Sequence, residues 1–197
     1  MQTARLMPLP PLDTPSTAVC VLLVDLVGST SLAQRLPLGV YTELMTDFVQ
    51  VLVLNCEALE GQVLQHQGDA VLAYWPAAKT FQAVQAGLAC HGRAARLALA
   101  GALGTDLRVR VGLARGEVIT RVVGGQPSAY GLPVNYARRL CDAAAPGETL
   151  ACANVMAELG EHAASLVAVQ RGRLNLRGFG ADCQAYLLSS TVAAQTA

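Results

Sequence analysis

Two aspartates carry the strongest chemical signal in this chain. Asp25 closes the apolar run Ala18-Val19-Cys20-Val21-Leu22-Leu23-Val24, and Asp69 stands in the tight Gln67-Gly68-Asp69-Ala70 connection between two short apolar-alternating segments. A carboxylate that ends such a run is costly to bury unless a cation answers it. Along the chain the nearest basic residues on either side of Asp25 are Arg5 and Arg35, so a hard divalent cation is the expected partner. Two carboxylates of this kind could share one or two Mg²⁺ ions.

The elements that must position them follow from local pattern. A strand from about Ala18 to Asp25 leads into Gly28-Ser29-Thr30, where Ser29 or Thr30 is expected to cap a helix carrying Leu32, Leu36, Tyr41, Leu44 and Phe48, with a break near Pro37. Exposed backbone N–H groups at such a strand-to-helix turn favour a phosphate, and the adjacent Asp25 could set a metal against it. Val63-Leu64-Gln65-His66 and Ala70-Val71-Leu72-Ala73-Tyr74 flank Gln67-Gly68-Asp69 as the arms of a hairpin, which puts Asp69 at the tip. Residues 77–100 are alanine-rich, with Phe81, Val84, Leu88 and Leu97 on a broad apolar face, and predict one long helix on a sheet. Residues 108–114 and 117–123 are expected as two strands of a hairpin around Arg115-Gly116, followed by a Gly124-Gly125-Gln126-Pro127 loop. After Pro133 a helix is predicted that stops at Pro146-Gly147, and strand-like residues near 183–188 close the fold. In the helix after Pro133, Asn135 and Arg139 are four apart and project from one face toward one ligand, while Arg138 lies off that face. The class is α+β, with hairpins rather than uniform βαβ repeats.

Composition narrows the function. With 197 residues, 53% of them hydrophobic, the chain suits one well-packed domain. Lys plus Arg and Asp plus Glu both number 14, so the overall field offers no track for nucleic acid and no attraction to an anionic membrane. The neutral chain also argues against a polymerase-like phosphoryl transferase, which shares paired metal carboxylates but needs a basic path for its polymer. Six cysteines lie among apolar neighbours without C-x-x-C spacing, as reduced thiols of a cytoplasmic protein do. No apolar stretch approaches the roughly 18 residues of a membrane span. Pro8, Pro10, Pro11 and Pro15 mark residues 1–17 as an extended tail, leaving residues 18–189 as the domain and 190–197 as a C-terminal tail. His66, His91 and His162 lack clustered partners, Gly124-Gly125 forms no dinucleotide motif, and Trp75 reads as core.

The order of motifs resembles the class III nucleotidyl cyclase catalytic domain, the adenylate and guanylate cyclase family, in a bacterial, stand-alone form. The match runs through Val24-Asp25-Leu26-Val27-Gly28-Ser29-Thr30, Gly68-Asp69-Ala70-Val71-Leu72-Ala73, Arg110-Val111-Gly112-Leu113-Ala114-Arg115-Gly116-Glu117-Val118, Gly131-Leu132-Pro133-Val134-Asn135-Tyr136-Ala137-Arg138-Arg139-Leu140, Pro146-Gly147 and Leu176-Arg177-Gly178. The resemblance implies a ferredoxin-like βαββαβ core with a mostly antiparallel sheet. It implies a head-to-tail homodimer whose active sites lie at the subunit boundary. It assigns Asp25 and Asp69, with Leu26 beside them, to the set that holds two Mg²⁺ or Mn²⁺ ions. One ion activates the ribose 3′-hydroxyl and the other grips the phosphates, with Gly28, Ser29 and Thr30 as the adjoining substrate turn. Asn135 would orient the ribose in the partner's half-site, Arg139 would meet charge growing on the α-phosphate, and Arg177 would bind the terminal phosphates.

Base choice is where the chain departs from the usual pattern. Adenylate cyclases commonly place a lysine where this chain has Gln65, and an aspartate or threonine where it has Ser128. Both residues present are neutral and can donate or accept, so neither selects adenine over guanine by charge. The likeness of Ser128 to that threonine, and the absence of the acidic residue that guanylate-selective members carry at the Gln65 position, favour ATP. GTP, and with Tyr130 beside Ser128 the pyrimidine triphosphates UTP and CTP, remain alternatives, as does a non-catalytic nucleotide-binding regulatory module.

Overall fold

In the computed structural model, which describes residues 15–190, the first described element is β1 (Thr17–Leu26), an interior strand of the sheet. Helices α1 (Ser29–Arg35) and α2 (Leu38–Ala58) follow, then the hairpin of β2 (Gln62–Gln67) and β3 (Ala70–Pro76). Next come α3 (Thr80–Ala95), the short α4 (Ala98–Ala102) and a long strand, β4 (Val109–Val123). β5 (Gln126–Tyr130) turns back along β4 and leads into α5 (Leu132–Ala143). β6 (Thr149–Cys152), α6 (Ala153–Leu159), β7 (Leu166–Leu176) and β8 (Gly180–Ser190) complete the chain.

The sheet order is β2-β3-β1-β4-β6-β8-β7, with β5 paired to β4. Among the first four strands every neighbouring pair is antiparallel, so β1, helices, β2, β3, helices and β4 form the expected βαββαβ core. The one parallel pairing, β4 with β6, extends this core into the second half of the chain.

The unbroken apolar run of β1 is explained by cover on both faces: Val19 through Val24 are all buried. A Cβ added at Gly87 of α3 would meet Leu22, Val111 and Leu113, so those side chains face α3. A Cβ at Gly112, on the other face of β4, would overlap the Ala137 carbonyl oxygen and lie 2.5 Å from the Cys141 amide nitrogen of α5. Helix α5 therefore rests directly on the β4 backbone, and glycine is what allows the approach. By strand alternation Asp25, Leu23 and Arg110 lie on this α5 face.

Several local expectations are corrected. Arg115-Gly116 is no turn, because β4 runs through it unbroken and pairs Gly116 with Val19 of β1. Gly116 makes room for Pro133, whose Cγ would sit 2.8 Å from a Cβ there. The hairpin is made instead by Gly124 and Gly125, both at positive φ, between Val123 and Gln126. The single helix expected over 77–100 is divided, since Leu97 turns extended so that Ala100 and Leu107 can reach the core. Neither Ser29 nor Thr30 caps α1; Gly28, in the left-handed region at φ 75°, is the cap residue. Arg171 and Arg173 lie on β7, and Arg177 follows its end. The tail expected over 1–17 falls mostly outside the described residues, but Thr17 already pairs in β1 and Ser16 donates to Glu117 Oε2 at 2.9 Å. Of 190–197, Ser190 ends β8 and the rest lies outside the described residues.

All six cysteines are buried and free, and Trp75 is buried with Nε1 donating to the Leu59 carbonyl at 2.7 Å. Because Gly112 carries the contact that seats α5, Gly112→Ala is expected to cost about 1–3 kcal/mol in urea unfolding, as overpacked cores do. A variant of unchanged stability would contradict the close approach.

Candidate active site

Strand register explains why two residues 44 positions apart meet. β1 and β3 pair antiparallel with Asp25 opposite Ala70, and Asp69 is the residue just before Ala70, in the two-residue turn whose Gly68 takes φ 62°. Both aspartates are half-buried and line one small cavity of about 220 Å³ together with Gln65, Gln67 and Arg138, over a floor that includes Leu23 and Leu72. A bulge in β2 between Val63 and Gln65 sets the register so that Gln65 and Gln67 enter this cavity. His66 faces the other side of the hairpin, toward a larger apolar groove of about 700 Å³ against α2. Of these two, it is the smaller cavity that brings both aspartates and an arginine together.

The sequence missed Arg110. Its guanidinium donates to Asp25 Oδ2 from the directly opposed position on β4, 85 residues away. An arginine between the buried Val109 and Val111 was the available signal, since a cation in a buried strand needs an anion on the neighbouring one. The absence of basic residues near Asp25 in the chain therefore did not mean the absence of a protein cation. Burial raises the Asp25 carboxyl above its ordinary 3.8 and outweighs the lowering by Arg110, with the negative charge of Asp69 acting in the same upward direction. Burial would lower Arg110, but the bond to Asp25 and its charge outweigh this and raise it. Cys141 Sγ of α5 donates to the Arg110 carbonyl at 3.3 Å, which ties the helix beside the pair.

The other expected site residues are spread over two surfaces. Leu26 is buried and does not line the cavity, and its side chain has no group that could hold a metal. Gly28, Ser29 and Thr30 start α1 just beyond the end of β1 and also lie outside the cavity wall. Ser128 is half-buried on β5, opposite Arg121 of β4. Asn135 is exposed on α5, and Arg139 pairs with Asp142 on the same helix at 3.2 Å. Arg177 is exposed in the turn before β8, where Phe179 stacks on Tyr136 of α5 at 4.8 Å. The structure thus joins Gln65 to the two aspartates within one chain and leaves Ser128, Asn135, Arg139 and Arg177 outside that cavity.

The profile of the adenylate and guanylate cyclase catalytic domain matches residues 13–190. The chain belongs to this family. An uncharacterized protein of Mycobacterium tuberculosis is 32% identical over 186 residues, covering 94% of this chain and 45% of its own length. A second uncharacterized protein of that organism is 29% identical over 151 residues, covering 74% of this chain and 27% of its own length. The chain thus spans less than half of these curated relatives. Among solved structures, the adenylyl cyclase CyaB from P. aeruginosa superposes with a TM-score of 0.83 at 21% identity, covering 91% of this chain and 97% of that one. The guanylate cyclase domain of RhGC from Catenaria anguillulae, in complex with GTP, gives 0.80 at 18% identity over 89% of this chain and 98% of that one. Both confirm the fold expected of a class III nucleotidyl cyclase domain.

Cyclases of this class generally use divalent metals, and the donor set here can be tested against that. Among the described residues no group of three or more His, Cys, Asp and Glu side chains could enclose a metal ion. Two carboxylates and a backbone carbonyl nevertheless suit Mg²⁺, which keeps waters and takes most remaining ligands from substrate phosphates. The raised Asp25 points the same way, because desolvation and Asp69 leave it short of positive charge even with Arg110 bound. Among the described residues no helix is long and apolar enough to cross a membrane.

A pH dependence follows from Asp25. With its folded-state value above 3.8, the metal-free native protein holds a proton that the unfolded chain has released, so Asp25 withdraws stability as pH rises through that interval. Urea unfolding of wild type and Asp25→Asn in chelator should therefore show the wild type losing ground to the variant as pH climbs from 3.8. A difference that does not change with pH would contradict the shift.

Proposed function

We propose that the chain converts a nucleoside triphosphate, ATP in the first place, to a 3′,5′-cyclic nucleotide and pyrophosphate, at sites shared between two head-to-tail copies. In this proposal each site holds two Mg²⁺ or Mn²⁺ ions on Asp25, Asp69 and the Leu26 carbonyl. The observation that carries the proposal is the convergence of Asp25 and Asp69 in one cavity, with Asn135 and Arg139 on an α5 surface outside it. When bound, the ions would lower the pKa of the ribose 3′-hydroxyl and offset charge on the phosphates.

The protein groups divide the remaining work. Asp25 and Asp69 hold the site, and Arg110, relieved as counter-ion of Asp25, is at hand for phosphate oxygens. The Gly28-Ser29-Thr30 turn and Arg177 would take the terminal phosphates. Asn135 from a second copy would orient the ribose, and Arg139 from that copy would stabilise charge on the α-phosphate, where a planar guanidinium serves two oxygens. Among the described residues Arg139 is held only by an exposed pair with Asp142, a weak tie that a phosphate can displace.

A second copy has surfaces to bind. Val122, Val123, Tyr130 and Leu132 are exposed on the β4–β5 hairpin and the start of α5. The apolar groove between α2 and β2, lined by Met45, Val49 and Val53, adjoins the Asp69 hairpin at Gly68. Burying both would bring one chain's α5 toward the other's aspartates. Gln65 and Ser128 would meet the base through neutral hydrogen bonds, which supports ATP only modestly over GTP, UTP or CTP. A reduced, nucleotide-rich cytoplasm is the compartment that fits six free thiols and this substrate.

Asp25→Ala and Asp69→Ala should each abolish metal-dependent formation of cyclic nucleotide while the chain stays folded by circular dichroism. Arg139→Ala should lower kcat by about 10²- to 10³-fold with a smaller effect on nucleotide binding. Mixing Asp25→Ala with Arg139→Ala chains should restore one working site per heterodimer. Mixed dimers that form and stay inactive would contradict the shared site.

A further inference from the structure

We propose that Arg138 binds the polyphosphate of the nucleotide held by its own chain's Asp25 and Asp69, so that α5 serves two half-sites at once. Arg138 supplies its own chain's site, while Asn135 and Arg139 supply that of a second copy. This inference rests on the cyclase proposal and adds to it a substrate-binding residue on the metal side of the site.

Helix geometry separates the three residues. α5 buries Pro133, Ala137, Leu140 and Cys141 against the sheet. At about 100° per residue, Asn135 and Arg139 point away from that stripe, whereas Arg138 lies on its flank. The flank is the one that faces the aspartates: Arg138 lines their cavity, and Cys141, one turn on, bonds the carbonyl of the Arg110 that holds Asp25. Arg138 is exposed, and among the described residues no ion pair or hydrogen bond commits it, unlike Arg110 and Arg139.

Charge decides what this uncommitted guanidinium waits for. Without ions the cavity carries two carboxylates against Arg110 and Arg138. Those four charges balance, so two divalent cations would make the cavity strongly positive, and Arg138 would then gain nothing from the metals alone. A polyphosphate restores negative charge and offers planar pairs of oxygens, which suit a guanidinium better than an ammonium. Arg138 therefore contributes to binding of the metal polyphosphate and not to binding of the metal.

The probe is inorganic pyrophosphate with Mn²⁺, titrated calorimetrically into the full chain. Arg138→Ala should weaken Mn²⁺-pyrophosphate by about tenfold or more, leave Mn²⁺ alone no weaker, and be partly rescued by Arg138→Lys. Equal loss for Mn²⁺ alone and Mn²⁺-pyrophosphate would mark a merely structural role and overturn the proposal, as would an unchanged pyrophosphate affinity. The side of the site is read by mixing chains. Arg138→Ala with Arg139→Ala should recover one low-KM site per heterodimer, and Arg138→Ala with Asp25→Ala should not; the reverse pattern overturns the assignment. Failure of the Asp25→Ala with Arg139→Ala mixture would instead refute the shared site, and the pyrophosphate titration would still judge Arg138.

Discussion

A half-buried carboxylate pressed against a second one is the constraint on which this structure turns. Asp25 lies next to the end of β1, after six buried residues, and Asp69 is delivered beside it by the β1–β3 register. Desolvation and mutual repulsion both oppose ionising Asp25, and a single arginine from β4 does not compensate them. Such a site is electrostatically unfinished, and in the proposed reading a divalent cation with its polyphosphate would finish it in a way that an apolar core cannot. The cyclase fold keeps this strain near the end of a strand whose residues Val19 to Val24 are buried, so the remainder of the core carries the stability that the site withholds.

Helix α5 is the second half of the design. Gly112 lets it settle onto the β4 backbone, and the contact fixes which of its polar residues turn toward the cavity and which turn away. A one-residue difference in position along the helix, Arg138 against Arg139, then separates two surfaces of one molecule. In the proposed head-to-tail pair these surfaces would belong to different active sites, which would let a small domain with few charged residues surround a highly charged substrate.

The sequence made some of this legible and hid the rest for physical reasons. The aspartates, the β2–β3 hairpin and the α5 pair at positions 135 and 139 were readable because each depends on neighbours in the chain, whereas the βαββαβ order came from the family resemblance. Arg110 was not, because its partner lies across a strand pairing between residues 85 apart. β4 was divided at Gly116 because a glycine that makes room for Pro133 looks, in one dimension, like a glycine that makes a turn. β7 gave no signal, since its side chains are mostly exposed and it lies at the sheet edge. Arg138 was correctly separated from the face of Asn135 and Arg139, but the cavity it lines could be seen only once α5 was placed on the sheet.

The most direct measurement is incubation of the purified chain with Mn²⁺ or Mg²⁺ and, separately, ATP, GTP, CTP and UTP, with the products identified by mass. The account predicts a 3′,5′-cyclic nucleotide and pyrophosphate in equal amounts, formed fastest from ATP and lost on chelation of the metal. A folded, dimeric preparation that yields no cyclic product from any of the four would contradict it and leave a nucleotide-binding module without turnover.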